Sequence, residues 1–307
     1  MGRLPFTCAG PGIRGYAELR SWAGVPARER LAGTRQGKPL PFCMRKLTIM
    51  DLDIRGLRVL VTAGANGIGL AIARAFAAEG ARVHVCDVDQ EALSGLKDSD
   101  PAITSTRCDV SDREQVARLL DEALAALGGL DVLVNNAGVA GPTARVEDVD
   151  PHDWDRTLAI NITGMFNCVR LAVAPLRESS NPSIVNLSSI AGRFGFPLRS
   201  PYSASKWAVV GFTKTLAMEL GEHGIRVNAV LPGVVEGDRV RRVIESKAQA
   251  RGISFREMEA ELLGNISMRT MVTQQQIADQ IVFLCSPRGR TISGQAISID
   301  GDAQSLA

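Results

Sequence analysis

Little in this sequence suits a metal, a membrane or a disulfide framework. Three histidines, His84, His152 and His223, lie far apart. They show no metal-ligand spacing, so no catalytic metal is expected. Six cysteines (Cys8, Cys43, Cys86, Cys108, Cys168 and Cys285) are scattered, with no Cys-x-x-Cys pair. That usage argues for buried, reduced thiols in a cytoplasmic protein. No run of about 18 uncharged apolar residues occurs, so no membrane span is expected. A net charge of only +2 over 307 residues gives no reason to expect nucleic acid or a membrane surface as partner. Tyrosine is scarce too, with two residues in the chain.

What remains is the composition of a soluble globular chain, 45% hydrophobic and 22% charged, long enough for a generous core. The total charge hides an asymmetry. Residues 1–46 carry nine Lys/Arg against two Asp/Glu, with seven Gly and five Pro. That density disfavours helix and strand, and no continuous apolar stretch marks a secretory signal. Residues 1–50 are therefore expected to be a disordered basic extension. They read as a translated upstream region, with Met44 or Met50 as the true start. Residues 51–307 are expected to form one catalytic domain.

From about residue 56 short Val/Ile-rich runs alternate with helical segments. Strands are expected at 58–62, 82–86, 103–108, 131–134, 183–187, 226–230 and 296–299. Helices are expected at about 67–79, 89–97, 112–127, 151–178, 203–221 and 274–285. Asp150 before Pro151 marks one helix start. Ser111 with Glu114, and Thr273 with Gln276, have the spacing of capping boxes. Seven strands separated by helices predict an α/β fold, a Rossmann-type doubly wound parallel sheet with helices on both faces. Such sheets bind ligands at the carboxyl ends of their strands.

The first strand runs into Thr62-Ala-Gly64-Ala-Asn66-Gly67-Ile68-Gly69. Glycines let the turn be tight and let a pyrophosphate approach the backbone, where a helix N-terminus offers N–H groups. The spacing is not G-x-G-x-x-G, and taken alone the segment also reads as a plain tight turn. The second strand leads to Asp87, 18 residues after Gly69. An acid there accepts from adenosine ribose hydroxyls and repels a 2′-phosphate, which favours NAD over NADP. A turn-forming Asp is the plainer alternative. Asp109, followed by Val110, is placed to meet the adenine amino group. Asn135-Asn136-Ala137-Gly138 ends the fourth strand, with small residues where a cofactor would lie and Asn side chains able to tie strands together.

Removing an alcohol proton as hydride departs needs a base. Free tyrosine, with a pKa of about 10, is a poor one near neutrality. A nearby ammonium favours the phenolate. Tyr202 and Lys206 stand four apart, so they share a helix face. Ser189, after the fifth strand, can hold the substrate oxygen; Ser188 competes for that role.

These motifs, in this order and with Tyr202 13 positions after Ser189, resemble those of the classical short-chain dehydrogenase/reductase family over about residues 52–302. The resemblance implies a strand order of 3-2-1-4-5-6-7 and catalysis by Tyr202, Lys206, Ser189 and Asn161. Asn161 would organise a proton-relaying water, and Lys206 would bind the nicotinamide ribose. Pro232, Gly233 and Val235 match the segment that touches the carboxamide. Gly237 stands where the family often has Thr, which puts a hydroxyl contact there in doubt. A homo-oligomer, dimer or tetramer, is also implied, and the C-terminus 300–307 is expected to reach a neighbour.

The segment 236–270 is expected to form a helical lid over the substrate. Its Arg239, Arg241, Arg242 and Arg251 either grip an anionic group or lie on a solvated helix face. Val139–Pro142 and Phe194–Pro197 would form the other walls. The expected activity is NAD-dependent interconversion of a small secondary alcohol, neutral or anionic, and its ketone. The alternatives are a catalytically silent NAD-binding sensor, or an interaction protein working through its basic arm.

Overall fold

The computed structural model describes residues 51–306, without the side chains of residues 239, 246, 247 and 250. The basic stretch 1–50, expected to be disordered, lies outside the described residues.

Seven strands among the described residues form one parallel sheet: β1 (Arg58–Thr62), β2 (Arg82–Asp87), β3 (Thr104–Arg107), β4 (Val132–Asn135), β5 (Ser183–Leu187), β6 (Arg226–Pro232) and β7 (Ala296–Ile299). Their order is β3-β2-β1-β4-β5-β6-β7, as expected. The order reverses between β1 and β4, which opens a crevice at their carboxyl ends. Central strands are buried on both faces, hence the continuous Val/Ile/Leu runs of β1, β4 and β5.

Helices α1 (Gly67–Ala78), α2 (Gln90–Ser99) and α9 (Gln274–Cys285) cover one face. Ile72, Phe76, Leu93, Ile277 and Ile281 share a core there with Val59, Val61 and Val134. On the other face lie α3 (Arg113–Leu127), α5 (Gly164–Arg177) and α6 (Ser200–Leu220). Leu119, Leu120, Val169, Leu176 and Leu216 pack there on Leu60, Leu133 and Ile184. The stretch Pro151–Arg177 is long and apolar enough to cross a membrane by composition. Its Cys168, Val169, Ala172 and Leu176 belong to this second core.

Local differences from the expected elements have local causes. Asp112, not Ser111, caps α3, accepting from Glu114 N at 2.9 Å and Gln115 N at 3.1 Å. The carboxylate one residue nearer the helix reaches the orphan amides first, and Ser111 turns back to Asp109 at 2.7 Å. The long helix expected at 151–178 is α4 (Pro151–Leu158) and α5, joined by a π-turn at Ala159–Thr163. An inserted residue of this kind re-aims side chains and recurs at functional sites. The capping box of Thr273 and Gln276 is present.

The expected lid contains α7 (Asp238–Arg251) and α8 (Phe255–Gly264). Ile244, Ala248 and Met258 give it a small core of its own. Its end is fastened by the C-terminal segment. Ile266 pairs antiparallel with Ala303, and Ser267 Oγ donates to Asp302 at 2.6 Å. Residues 302–304 thus fold onto the chain's own residues 265–267. Ile266 and Ala303 join Ile190, with Phe194, Val234 and Leu306 packed against them, in one apolar cluster. The lid's base therefore abuts the turn that follows β5.

Candidate active site

The glycine-rich turn is built to admit something against its backbone. Gly67 has φ +55°, and a Cβ there would meet nothing within 4 Å. At Gly69 a Cβ would stand 2.0 Å from Ala63 O, and at Gly64 2.6 Å from Val85 Cβ. These two glycines let helix and strand approach; Gly67 gives the turn its left-handed conformation. Asn66 makes no side-chain cap on α1, and the first turn has no acid. Its leading N–H groups, Ile68 among them, are thus offered to a ligand anion and not to the protein's own carboxylates.

Asp87, at the end of β2, is turned toward this turn. Its carboxylate accepts from Ala65 N and from Asp89 N, each at 3.2 Å. Asp109 spends one oxygen on Ser111 N at 2.9 Å and on the Ser111 hydroxyl. Val110 is buried, and its carbonyl accepts from Asn167 at 3.0 Å. Asn136 ties β4 to β1, its Nδ2 donating to Thr62 O and Ala63 O at 3.0 and 2.9 Å. Thr62 Oγ1 accepts from the backbone of both Asn136 and Ala137 at 3.0 Å. Asn135 reaches across to Asn186 at 2.9 Å. The strand-tying role expected of the asparagines is present in both.

Across the crevice, α6 carries Tyr202 and Lys206 one turn apart. Lys206 is buried, and its Nζ donates to Leu187 O at 2.8 Å. The ammonium thus stands at the end of β5, 5.7 Å from the Tyr202 ring centre. Gly138 faces the same space: a Cβ on it would lie 3.4 Å from Lys206 Nζ and 3.3 Å from Asn161 Oδ1. Asn161 is fully buried in the π-turn. Its Oδ1 accepts from Val139 N at 2.8 Å, and its Nδ2 donates to Val139 O and Ser205 Oγ at 3.0 Å. Ser205 Oγ in turn donates to Tyr202 O at 2.7 Å. Asn161 is therefore no helix-surface residue; the π-turn aims it inward at the fourth-strand loop and at α6.

The two serines separate cleanly. Ser188 is buried and donates to Lys206 O at 2.8 Å. Ser189 is half-buried on the turn after β5, where its Oγ accepts from Ala191 N at 3.1 Å. A donated bond from Ser203 Oγ to Ala191 O, 3.0 Å, holds the start of α6 against that turn. Ser188 is a packing residue, and Ser189 is the more exposed of the two.

After β6, Gly233 N donates to Ile299 O at 2.9 Å, and a Cβ at Gly233 would stand 2.7 Å from Asp300 Cα. Pro232 is buried at the strand end. Val235 pairs with Val272 through Val234 O and Glu236 N. In such a parallel bridge the amide of Val235 itself points to the opposite side, toward the crevice. Gly237 has φ +145°, a conformation that a Thr would adopt only under strain. The missing hydroxyl is therefore built into the backbone at that point.

Two of the four lid arginines are engaged within the lid. Arg241 pairs with Glu245 at 3.1 Å and lies 5.7 Å over Phe255. Arg251 pairs with Glu261 on α8. Arg242 is exposed, and the Arg239 side chain lies outside the described residues. The arginine that borders Tyr202 lies outside the lid, at the start of α6. Arg199 donates to Ala140 O and Thr143 Oγ1, each at 2.9 Å, and its guanidinium lies 5.7 Å from the Tyr202 ring centre. Its position one helical turn before Tyr202 was the available signal.

The carboxyl edge of the sheet thus carries a glycine turn with free helix N–H groups after β1 and a phenol, an ammonium and a hydroxyl on α6 and the turn after β5. Comparison with known proteins agrees. The family model described as enoyl-(acyl carrier protein) reductase matches residues 62–302. The chain is 35% identical to the 3-oxoacyl-[acyl-carrier-protein] reductase FabG of Thermotoga maritima, over 81% of this chain and 98% of that protein. Among solved structures, NAD+-bound xylitol dehydrogenase is 30% identical with a TM-score of 0.76, covering 81% of this chain and 99% of its own. A single-residue variant of actinorhodin polyketide ketoreductase with NADPH is 33% identical with a TM-score of 0.75, covering 79% and 95%.

Proposed function

The chain belongs to the classical short-chain dehydrogenase/reductase family, and from that premise we propose that it interconverts a small secondary alcohol and its ketone with NAD, using Tyr202 as acid–base. Membership makes it an NAD(P)-dependent oxidoreductase acting on CH–OH groups. The observation that supports the finer reading is Lys206, whose Nζ stands 5.7 Å from the Tyr202 ring centre and, with Asn161 Oδ1, faces Gly138.

A bound nicotinamide accepts the hydride in the oxidative direction and supplies it in the reductive one. The residues do the rest. Ser189 donates a hydrogen bond to the substrate oxygen and fixes its distance from the phenol. Tyr202 takes the hydroxyl proton as the hydride leaves, and returns it in the reverse reaction. The Lys206 ammonium, clamped by Leu187 O, favours the charged phenolate electrostatically and is placed to bind the nicotinamide ribose. Asn161, held by Val139 and Ser205, is placed to fix a water that passes protons from Lys206 outward. Gly64, Asn66, Gly67, Ile68 and Gly69 receive the pyrophosphate; Asp109 and Val110 flank the adenine.

Asp87 supports NAD over NADP. Its carboxylate is held at the turn by Ala65 N–H, where a 2′-phosphate would meet like charge. A cytoplasmic site of action is supported by four buried free thiols among the described residues. Self-association is supported by Phe166 on α5 and by Trp207 and Met218 on α6, which are large, apolar and exposed.

The experiment is NADH appearance from NAD with a panel of neutral and acidic secondary alcohols, Tyr202→Phe run alongside. Turnover by the wild type and a loss of about a thousandfold in the variant is expected. Equal turnover by both would sink the proposed mechanism. NAD binding with no turnover of any alcohol would favour a silent sensor.

A further inference from the structure

We propose that Arg199 is a positioning residue for Tyr202, holding the phenol ring and the two walls of the substrate cleft in one arrangement; the inference rests on the reading of Tyr202 as the acid–base. Its observations are separate from the catalytic motif. The loop before α6 reaches Arg199 through Leu198, a non-glycine residue at φ +64°. A left-handed leucine costs about 1 kcal/mol or more and persists only where its surroundings hold it. Here the Leu198 carbonyl accepts from Ala144 N at 3.0 Å, across the cleft from the loop after β4.

Arg199 adds two further ties to that loop, to Ala140 O and Thr143 Oγ1. One side chain thus reaches two acceptors three residues apart. A guanidinium fork can satisfy both at once; a lysine ammonium is a single point on a flexible stem. The guanidinium also lies over Phe196, at 5.6 Å from its centre, as well as over Tyr202. Phe196 belongs to one expected wall and Ala140 to the other. The wall–wall link and the ring contact therefore run through the same planar group. Lys206, 5.7 Å from the same ring centre, is fixed to β5. Tyr202 is positioned from the sheet by one cation and from the cleft walls by the other.

The consequence concerns orientation. A phenol that tilts by about 1 Å from the substrate oxygen loses on the order of a hundredfold in rate. Removing Arg199 would leave the backbone bond from Ala144 to Leu198 and free the ring to tilt. The glycine turn and Asp87, on the other side of the crevice, and Lys206, fixed separately to Leu187 O, would be untouched.

The test uses the full chain with Arg199→Ala and Arg199→Lys, beside Tyr202→Phe, on the alcohol the wild type oxidises fastest. Expected for Arg199→Ala is a fall in kcat of about thirty- to a hundredfold, with NADH affinity by fluorescence within about twofold. The primary deuterium isotope effect on kcat should rise as the chemical step becomes slower. Millimolar methylguanidinium should restore part of the rate in Arg199→Ala and none in Tyr202→Phe. Arg199→Lys should fall between wild type and alanine, and it serves as the test if the alanine variant does not fold. An unchanged kcat would overturn the inference. So would a loss that tracks NADH affinity and the thermal midpoint and is not rescued. In both cases an inactive Tyr202→Phe leaves the reading of Tyr202 standing. A silent wild type, or an active Tyr202→Phe, would instead sink that reading and this inference with it.

Discussion

At the amino end of the sheet, Asp131 accepts from Arg58 N, Nε and Nη2 and from Ser179 Oγ, all within 2.9 Å. Beside it the buried Arg226 donates to the carbonyls of Leu284, Cys285 and Gly289. At the carboxyl end the polar groups are tied to the backbone of the strand or turn beside them. Lys206 is gripped through Leu187 O, Ser189 through Ala191 N, and Asp87 through Ala65 N. One end saturates its charges and fastens strands; the other fixes its charges and turns a face outward.

Substitutions at the two ends should separate these roles. The largest effect is expected from Lys206→Met: a loss of kcat of about a thousandfold, with a urea midpoint no lower than that of the wild type. Steady-state kinetics and a urea melt on the same preparation check both halves. Asp131→Ala should do the opposite. It leaves the Arg58 guanidinium without its carboxylate and should cost about 3 kcal/mol of stability, while NADH affinity of the folded protein holds. A variant at Asp131 that lost cofactor binding without losing stability would erase the distinction between the ends.

Acid sharpens the comparison next. Burial pushes His84 down to about 4, despite Glu122 nearby. Both ring nitrogens are bonded to Thr104 and Thr106. A histidine lowered on folding binds its proton more readily when unfolded. Its contribution is therefore complete above about pH 6.5 and declines as pH falls toward 4, by up to about 3 kcal/mol. Burial also raises the Asp131 carboxyl, but Arg58 and Ser179 outweigh it and hold it below its ordinary value. That contribution is present above an ordinary carboxyl pKa and is lost only at lower pH. Denaturation measured from pH 7 to 3 should weaken first through His84, and His84→Gln should flatten the upper part of the curve. The smallest effect belongs to the nucleotide end. Asp87→Ser should shift the NAD to NADP ratio of kcat/KM by about tenfold toward NADP, with no change in urea midpoint.

Much of this was legible because it is local. Alternating apolar runs and glycine-bounded strands located β1, β5 and β7 to the residue. The spacing of Tyr202 and Lys206 required one helix face. Other features were not legible. The expected helix over 151–178 contains a π-turn that composition does not mark. The adjacent Ser188 and Ser189 differ only in which way the chain turns after β5. The charged lid suggested anion-gripping arginines, yet Arg241 and Arg251 pair with Glu245 and Glu261.

By itself the sequence determined the order of strands and helices, the glycine turn and the residues able to move a proton, since each depends on neighbours within one or two turns of chain. Tertiary structure alone decided which arginine borders Tyr202 and that the segment around Ala303 fastens the end of the 236–270 segment. Those outcomes depend on contacts between segments tens of residues apart. Arg199 meets Ala140 and Ile266 meets Ala303 only because the sheet brings the ends of separate strands to one edge.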